Sequence, residues 1–330
     1  MLRLLPHLVL GALVAFFRRL RRGPSAPTWG WGLELFVGGQ KRAMTKLARL
    51  EGPALRRVSD LKLPPTPSVR ALTTEELDER TEHGTVRGRW IRAPRTGNKS
   101  PGCVMLVHGG GYVVGSVDSH LELAGQLAIA GGFDVFSLDY RLAPEHPHPA
   151  ALEDARAAFL WLIEQGTPSN DIALVGDSAG GGLCTALLLD LRDRDAEQPA
   201  GAALICPWVD LTSSYPSIQG NAATDYLTAE MADRWSRDYA GRLERTHPAI
   251  SPLFADLKGL PPLLIHAGGA EILRDEIRAF ADSATAAGVE VSFREWPHMP
   301  HDFHLLGLVE PRGKEALLEV AQFLRRHLDS

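Results

Sequence analysis

The sequence predicts an α/β protein: a mostly parallel central sheet with helices on both faces, overlaid by a helical cap. Three observations carry this. Short apolar runs alternate with helix-forming stretches from about residue 85 onward, and strands buried on both faces read as continuous apolar runs. The chemically distinctive motifs follow directly after those runs, where such sheets gather their functional groups. Two segments break the alternation: residues 1–80, rich in helix formers, and about 211–252, which contains an amphipathic stretch.

The strand candidates, in order, are 85–91, 103–107, 134–138, 172–175, 202–206, 263–267 and 290–295. The helix candidates between and after them are 120–130, 150–165, 182–193, 275–287 and 314–328. A helix between successive strands is the crossover that parallel pairing requires. Residues 1–80 hold an apolar run, Leu8 to Phe17, then Arg18, Arg19, Arg21 and Arg22; Pro64-Pro65-Thr66-Pro67 interrupts the segment later. The second segment contains an amphipathic stretch, 228–243, opened by Thr228 as a helix cap would be.

Composition excludes several classes. Apolar residues make up 45%, charged residues 23%, and the net charge is −5; this is a globular balance with no basic excess for nucleic acid. A chain of 330 residues fits a single large α/β domain. Cys103, Cys184 and Cys206 lie within apolar runs, which reads as buried thiols in a reducing, cytoplasmic setting. The Leu8–Phe17 run is too short to span a bilayer comfortably. Two readings of it stay open: a helix packed on the cap, or an interfacial helix with arginines at the headgroups, making the protein peripheral to a membrane.

Chemistry enters at Gly176-Asp177-Ser178-Ala179-Gly180. A serine between small residues at a strand-to-helix turn can be pushed into a cleft; this is the nucleophile elbow, G-x-S-x-G. Upstream, His108-Gly109-Gly110-Gly111 follows the apolar run 103–107. Its bare amides, those of Gly109 and Gly110 with that of Ala179, can hold an oxyanion. A phosphate cradle is the competing reading, but no Lys-Ser/Thr follows the glycines.

His108–Gly111, the run Asp139-Tyr-Arg-Leu-Ala-Pro-Glu145 and Gly176–Gly181 together resemble the hormone-sensitive-lipase family of α/β-hydrolases, whose bacterial members are mostly carboxylesterases. The resemblance implies that residues 81–330 form the catalytic domain with a cap insertion at about 211–252, and that 1–80 is an N-terminal cap segment. It places the catalytic histidine in Trp296-Pro-His298-Met-Pro-His301-Asp-Phe-His304, with a Phe two residues later; His301 fits through Phe303, and His298 is the rival. His304 is expected to line the site or cap the final helix. Where the family shows Asp-Pro-Leu-x-Asp, this chain has Glu271-Ile-Leu-Arg-Asp275. Glu271 is therefore the expected acid, one methylene longer than usual, and Asp275 the alternative.

Other matching residues receive structural roles. Asp139, Arg141 and Glu145 are expected to pair beneath the site, since buried charges need partners, and Asp177 to brace the elbow. Tyr112 and Trp208 either touch substrate or pack. The His298, His301, His304 spacing also invites a zinc reading, but two prolines disturb any common face, so neither metal nor organic cofactor is expected.

The expected function is a serine carboxylesterase acting on small-molecule esters of short to medium acyl chain through Ser178, His301 and Glu271. The alternatives are an amide hydrolase (deacetylase) or lactone hydrolase with the same triad, and a non-catalytic ligand-binding receptor. Pairing into a homodimer through the edge strand 290–295 is a further expectation.

Overall fold

The computed structural model describes residues 4–47, 50, 52–59, 65–93 and 102–328. Of the stretch read as an N-terminal cap, residues 1–3, 48, 49, 51 and 60–64, including Pro64, lie outside the described residues. The chain opens with helices α1 (Leu5–Arg22), α2 (Trp31–Leu47), α3 (Gly52–Ser59) and the single turn α4 (Pro67–Arg70). Strands β1 (Thr73–Thr81) and β2 (Gly84–Arg92) form a hairpin. The alternating part follows as β3 (Cys103–Val107), α5 (Leu121–Gly131), β4 (Asp134–Leu138), α6 (Ala150–Glu164), β5 (Ile172–Asp177), α7 (Ala179–Asp193) and β6 (Gly201–Ile205). After α8 (Ser217–Gly220) and α9 (Ala229–Ala240) it resumes with β7 (Leu263–Gly268), α10 (Arg274–Ala286), β8 (Val291–Trp296) and α11 (Pro311–Leu328).

The eight strands lie in the order β1-β2-β4-β3-β5-β6-β7-β8. β1 and β2 run antiparallel, and from β4 through β8 every pair is parallel. Every residue of β3, β4, β5 and β6 is buried. Helices on both faces exclude water from these strands, and burial of such continuous apolar runs is the main stabilising contribution.

β1 was not anticipated; it falls within the stretch read as helical. Its sequence, Thr-Thr-Glu-Glu-Leu-Asp-Glu-Arg-Thr, is exposed along nearly its whole length and so lacks the apolar alternation that marks a half-buried strand. Cross-strand charges hold it instead: Asp78 pairs with Arg87 at 3.3 Å, Glu75 with Arg92 at 3.5 Å, and Glu76 with Arg89. Such a charged edge also resists pairing with another chain.

Two segments cover the carboxyl ends of the parallel strands. Met44 and Leu47 of α2 and Leu55 of α3 share a cavity with Met231, Ala232 and Trp235 of α9. Thr228 caps α9, its hydroxyl accepting from Met231 N at 3.2 Å. Trp29 Nε1 donates to the His298 carbonyl at 2.5 Å, tying the N-terminal segment to the loop after β8.

Candidate active site

Ser178 stands at the turn from β5 to α7 with φ 53° and ψ −121°, strained backbone for a residue with a side chain. Tertiary hydrogen bonds hold it there: Ser178 N donates to Ile205 O at 2.8 Å, and Ser178 O accepts from Trp208 N at 2.8 Å. The flanking glycines are sterically required. A Cβ on Gly176 would lie 2.3 Å from Gly180 O, and one on Gly180 would lie 2.0 Å from Val107 O. The turn therefore presents Ser178 to a cavity of about 180 Å³, which His301 also lines.

His301 is buried in the loop after β8. Its Nδ1 donates to Glu271 Oε2 at 2.6 Å, and Glu271 Oε1 accepts the Gly268 amide at 2.6 Å. The carboxylate fixes the ring's orientation and leaves the opposite nitrogen, Nε2, free of Glu271. No hydrogen bond joins Nε2 to Ser178; instead Asp302 Oδ2 lies 3.0 Å from it. Burial opposes charging of the ring, but Asp302 and Glu271 outweigh it and raise the His301 pKa well above the ordinary histidine value.

The rival residues are engaged elsewhere. Asp275 accepts from Ser217 N at 2.9 Å and from Arg274 Nη2 at 2.7 Å. His304 neither lines the cavity nor caps α11; its Nε2 meets His266 Nδ1 at 3.0 Å, and burial pushes its pKa well below the usual value. His298, His301 and His304 form no shared ligand group among the described residues.

The glycine run needs a correction. Gly109 is no oxyanion donor, because its amide already donates to Asp177 Oδ1 at 3.0 Å and the residue does not line the cavity. Gly110 and Gly111 do line it, and their amides have no hydrogen-bond partner among the described residues. Ala179 opens α7, so its amide is one of the unpaired donors of a helix start. His108 is structural: burial lowers its pKa to about 3, its Nδ1–H donates to Gly109 O at 2.8 Å, and its ring stacks on Tyr140.

Asp177 does brace the turn, with a partner that sequence did not reveal. Its Oδ2 accepts from His120 Nε2 at 3.1 Å, 57 residues away in sequence. The expected cluster of Asp139, Arg141 and Glu145 does not form. Arg141 instead pairs with Asp154 at 2.8 Å and Glu145 with Arg56, while burial raises the Asp139 pKa. Tyr112 packs: its ring stacks on Tyr239 at 3.6 Å and is absent from the cavity wall, whereas Trp208 lines it. Asp225 was also missed; buried, it accepts the Ile272 amide at 2.7 Å and so ties the second covering segment to the residue after Glu271.

A parallel sheet with a strained serine at a strand end, sharing a cavity with a buried imidazole–carboxylate pair, defines a hydrolase of the α/β class. A family model described as alpha/beta hydrolase fold matches residues 104–305. An acetyl-hydrolase of Streptomyces hygroscopicus is 41% identical over 244 residues, 73% of this chain and 80% of its own. An ethyl acetate hydrolase of Pseudomonas putida is 34% identical over 252 residues, 74% of this chain and 79% of its own. Among solved structures, an esterase from the bacterial hormone-sensitive lipase family superposes with a TM-score of 0.76 at 34% identity, covering 98% of each chain. The chain belongs to the hormone-sensitive-lipase family of α/β-hydrolases. It is a carboxylic ester hydrolase.

Proposed function

We propose that the protein is a serine carboxylesterase in which Ser178, His301 and Glu271 form the triad. The observation that carries this is the 2.6 Å bond from His301 Nδ1 to Glu271 Oε2 beside a cavity that Ser178 also lines. Ser178 Oγ attacks the ester carbonyl carbon while its proton passes to His301 Nε2. Glu271 stabilises the resulting imidazolium. The negative oxygen of the tetrahedral intermediate accepts hydrogen bonds from the amides of Gly110, Gly111 and Ala179. Collapse breaks the bond to the alcohol oxygen, which leaves with the proton from His301, and Ser178 is acylated. Water then attacks the acyl-enzyme, giving its proton to His301, and the acid departs as Ser178 recovers its hydrogen.

The substrates are esters of short to medium acyl chains. A cavity of about 180 Å³ is little larger than the ~150 Å³ apolar void that takes up one benzene. Two relatives are named for acetyl-hydrolase and ethyl acetate hydrolase activity, and EstE5, of known structure and 32% identical, was soaked with p-nitrophenyl butyrate. Labelling with an organophosphate tests the reading: the adduct is expected on the peptide carrying Ser178, and an adduct elsewhere overturns it.

The three cysteines are buried and free, which supports a cytoplasmic protein. No described helix is long and apolar enough to cross a membrane, but the exposed apolar face of α1 favours peripheral contact with one. β8 is an edge strand and is the proposed seat of a homodimer.

A further inference from the structure

Helix α1 carries an uncovered apolar face. Eight of its large apolar side chains, Leu5, Val9, Leu10, Leu13, Val14, Phe16, Phe17 and Leu20, are exposed, Leu20 by 62%. At helical spacing these positions form one continuous arc of about half the circumference. The opposite side is pressed against α2: Gly11 and Ala15 are buried, and a Cβ on Gly11 would lie 2.3 Å from Gly38 O.

The flanks of that arc are basic. Residues 4–47 hold seven arginines and lysines and one acid, Glu34, in a chain of net charge −5. Arg18 and Arg19 share Glu34. Arg21, Arg22, Arg42 and Lys46 have no ion-pair partner among the described residues. Between α1 and α2 lies a second cavity, about 510 Å³, lined by Val14, Arg18, Lys41, Arg42 and Lys46 and by one acid, Glu34, whose charge Arg18 and Arg19 offset; Lys41 also donates to the Ala222 carbonyl. Val14 is 56% exposed and lines this cavity as well, so the basic cavity opens at the border of the apolar arc.

The bare surface continues to the catalytic cavity. The Phe16 ring lies 5.3 Å from that of Trp31, itself 43% exposed. A Cβ on the next residue, Gly32, would sit 3.6 Å from Val309. Val309 and Leu308 are exposed, and Leu305, in the same loop, is both exposed and a wall of the catalytic cavity.

We propose that this surface docks on an anionic phospholipid bilayer, with the α1 arc among the acyl chains and a lipid phosphate in the α1–α2 cavity among Arg18, Lys41, Arg42 and Lys46. This deepens the peripheral-membrane reading above and rests on it; delivery of apolar esters to Ser178 rests in addition on the esterase reading. An amphipathic helix rich in arginine, with large apolar residues on its other face, lies in the interface rather than across it. Charge argues for lipid over a second copy of this chain. A two-fold contact would set each basic face against its twin, whereas anionic headgroups neutralise it.

The test is sedimentation of the full chain with vesicles of phosphatidylcholine, alone or mixed with phosphatidylglycerol. Binding to the mixed vesicles is expected to be at least about tenfold tighter and to weaken with salt. Leu13→Asp and Phe17→Asp should abolish binding to both, and Arg42→Glu with Lys46→Glu should abolish the preference for phosphatidylglycerol. All four should leave hydrolysis of soluble p-nitrophenyl butyrate unchanged, which shows that the variants are folded. Ser178→Ala should bind vesicles like the native chain, so failure of the esterase reading would not be mistaken for failure of docking. Equal binding to both vesicles, no binding at low salt, or no effect of the charge reversals overturns the proposal. So does light scattering that finds a dimer which Phe17→Asp dissociates, since the face is then a subunit interface.

Discussion

Asp302 Oδ2 lies 3.0 Å from Nε2 of His301, the ring nitrogen opposite the one that Glu271 binds. The two atoms lie within ion-pair distance without hydrogen-bond alignment, and neither His301 Nε2 nor Asp302 Oδ1 has a hydrogen-bond partner among the described residues. The imidazole is thus flanked by two carboxylates, one at each nitrogen. In the proposed mechanism Glu271 orients the ring for proton transfer, and Asp302 stands beside the nitrogen that would take the Ser178 proton. Burial raises the Asp302 pKa, opposed by the neighbouring His301 charge.

This predicts an alkaline pH profile. General base catalysis needs the neutral imidazole, and the two carboxylates raise its pKa. The acid limb of kcat/KM should therefore lie above the ordinary histidine range. Asp302→Asn removes one anion, lowers the imidazole pKa, and should move that limb to lower pH; Asp225, Asp177 and the His304 ring remain as neighbouring groups in both forms. Superimposable profiles of the two enzymes would show that Asp302 does not act on His301.

Ser178→Ala should lower ester hydrolysis by on the order of 10⁴-fold or more. The hydroxyl makes no hydrogen bond among the described residues, so thermal unfolding should move little. Near-native turnover of the alanine variant is the result incompatible with the proposed nucleophile.

Glu271→Gln retains a hydrogen-bonding group but loses the charge that stabilises imidazolium, so kcat should fall by roughly 10³–10⁴-fold. Asp275→Asn should lower kcat far less, because Asp275 holds Ser217 and Arg274 rather than His301. Steady-state kinetics of the two variants side by side decide the assignment; the reverse ranking would hand the acid role to Asp275.

Chain length should be limited by the cavity walls. Each buried methylene contributes ~0.8 kcal/mol until the space is filled, after which crowding reverses the gain. Activity should rise from acetate to butyrate or hexanoate esters and fall for palmitate. Leu227→Ala, at a half-buried wall position, should move the optimum to longer chains. A series of p-nitrophenyl esters checks both, and a palmitate optimum in the native enzyme would contradict a cavity of this size.

Much of this protein was determined locally, by its sequence alone. Cys103–Val107 and Ile172–Val175 are apolar at consecutive positions because both faces of their strands meet helices, and that signature survives without any partner in view. Ser178 between small residues, and His301 two residues before Phe303, are likewise short-range patterns. What tertiary structure decided are pairings between distant positions. Nothing within Gly109-Gly110-Gly111 says which amide is free; Asp177, 68 residues on, takes that of Gly109. His120 became the partner of Asp177, and Arg141 chose Asp154 over its neighbours in the motif, because packing brought those side chains within hydrogen-bond reach. β1 was hidden for the opposite reason: exposed on both faces and held by cross-strand ion pairs, it carries no apolar rhythm. Asp302 was in plain view beside His301, but its carboxylate matters only because the αL backbone at that residue, φ 45° and ψ 36°, turns the chain so that the carboxylate meets Nε2, and a dihedral set by the surrounding fold is not written in the residue's identity.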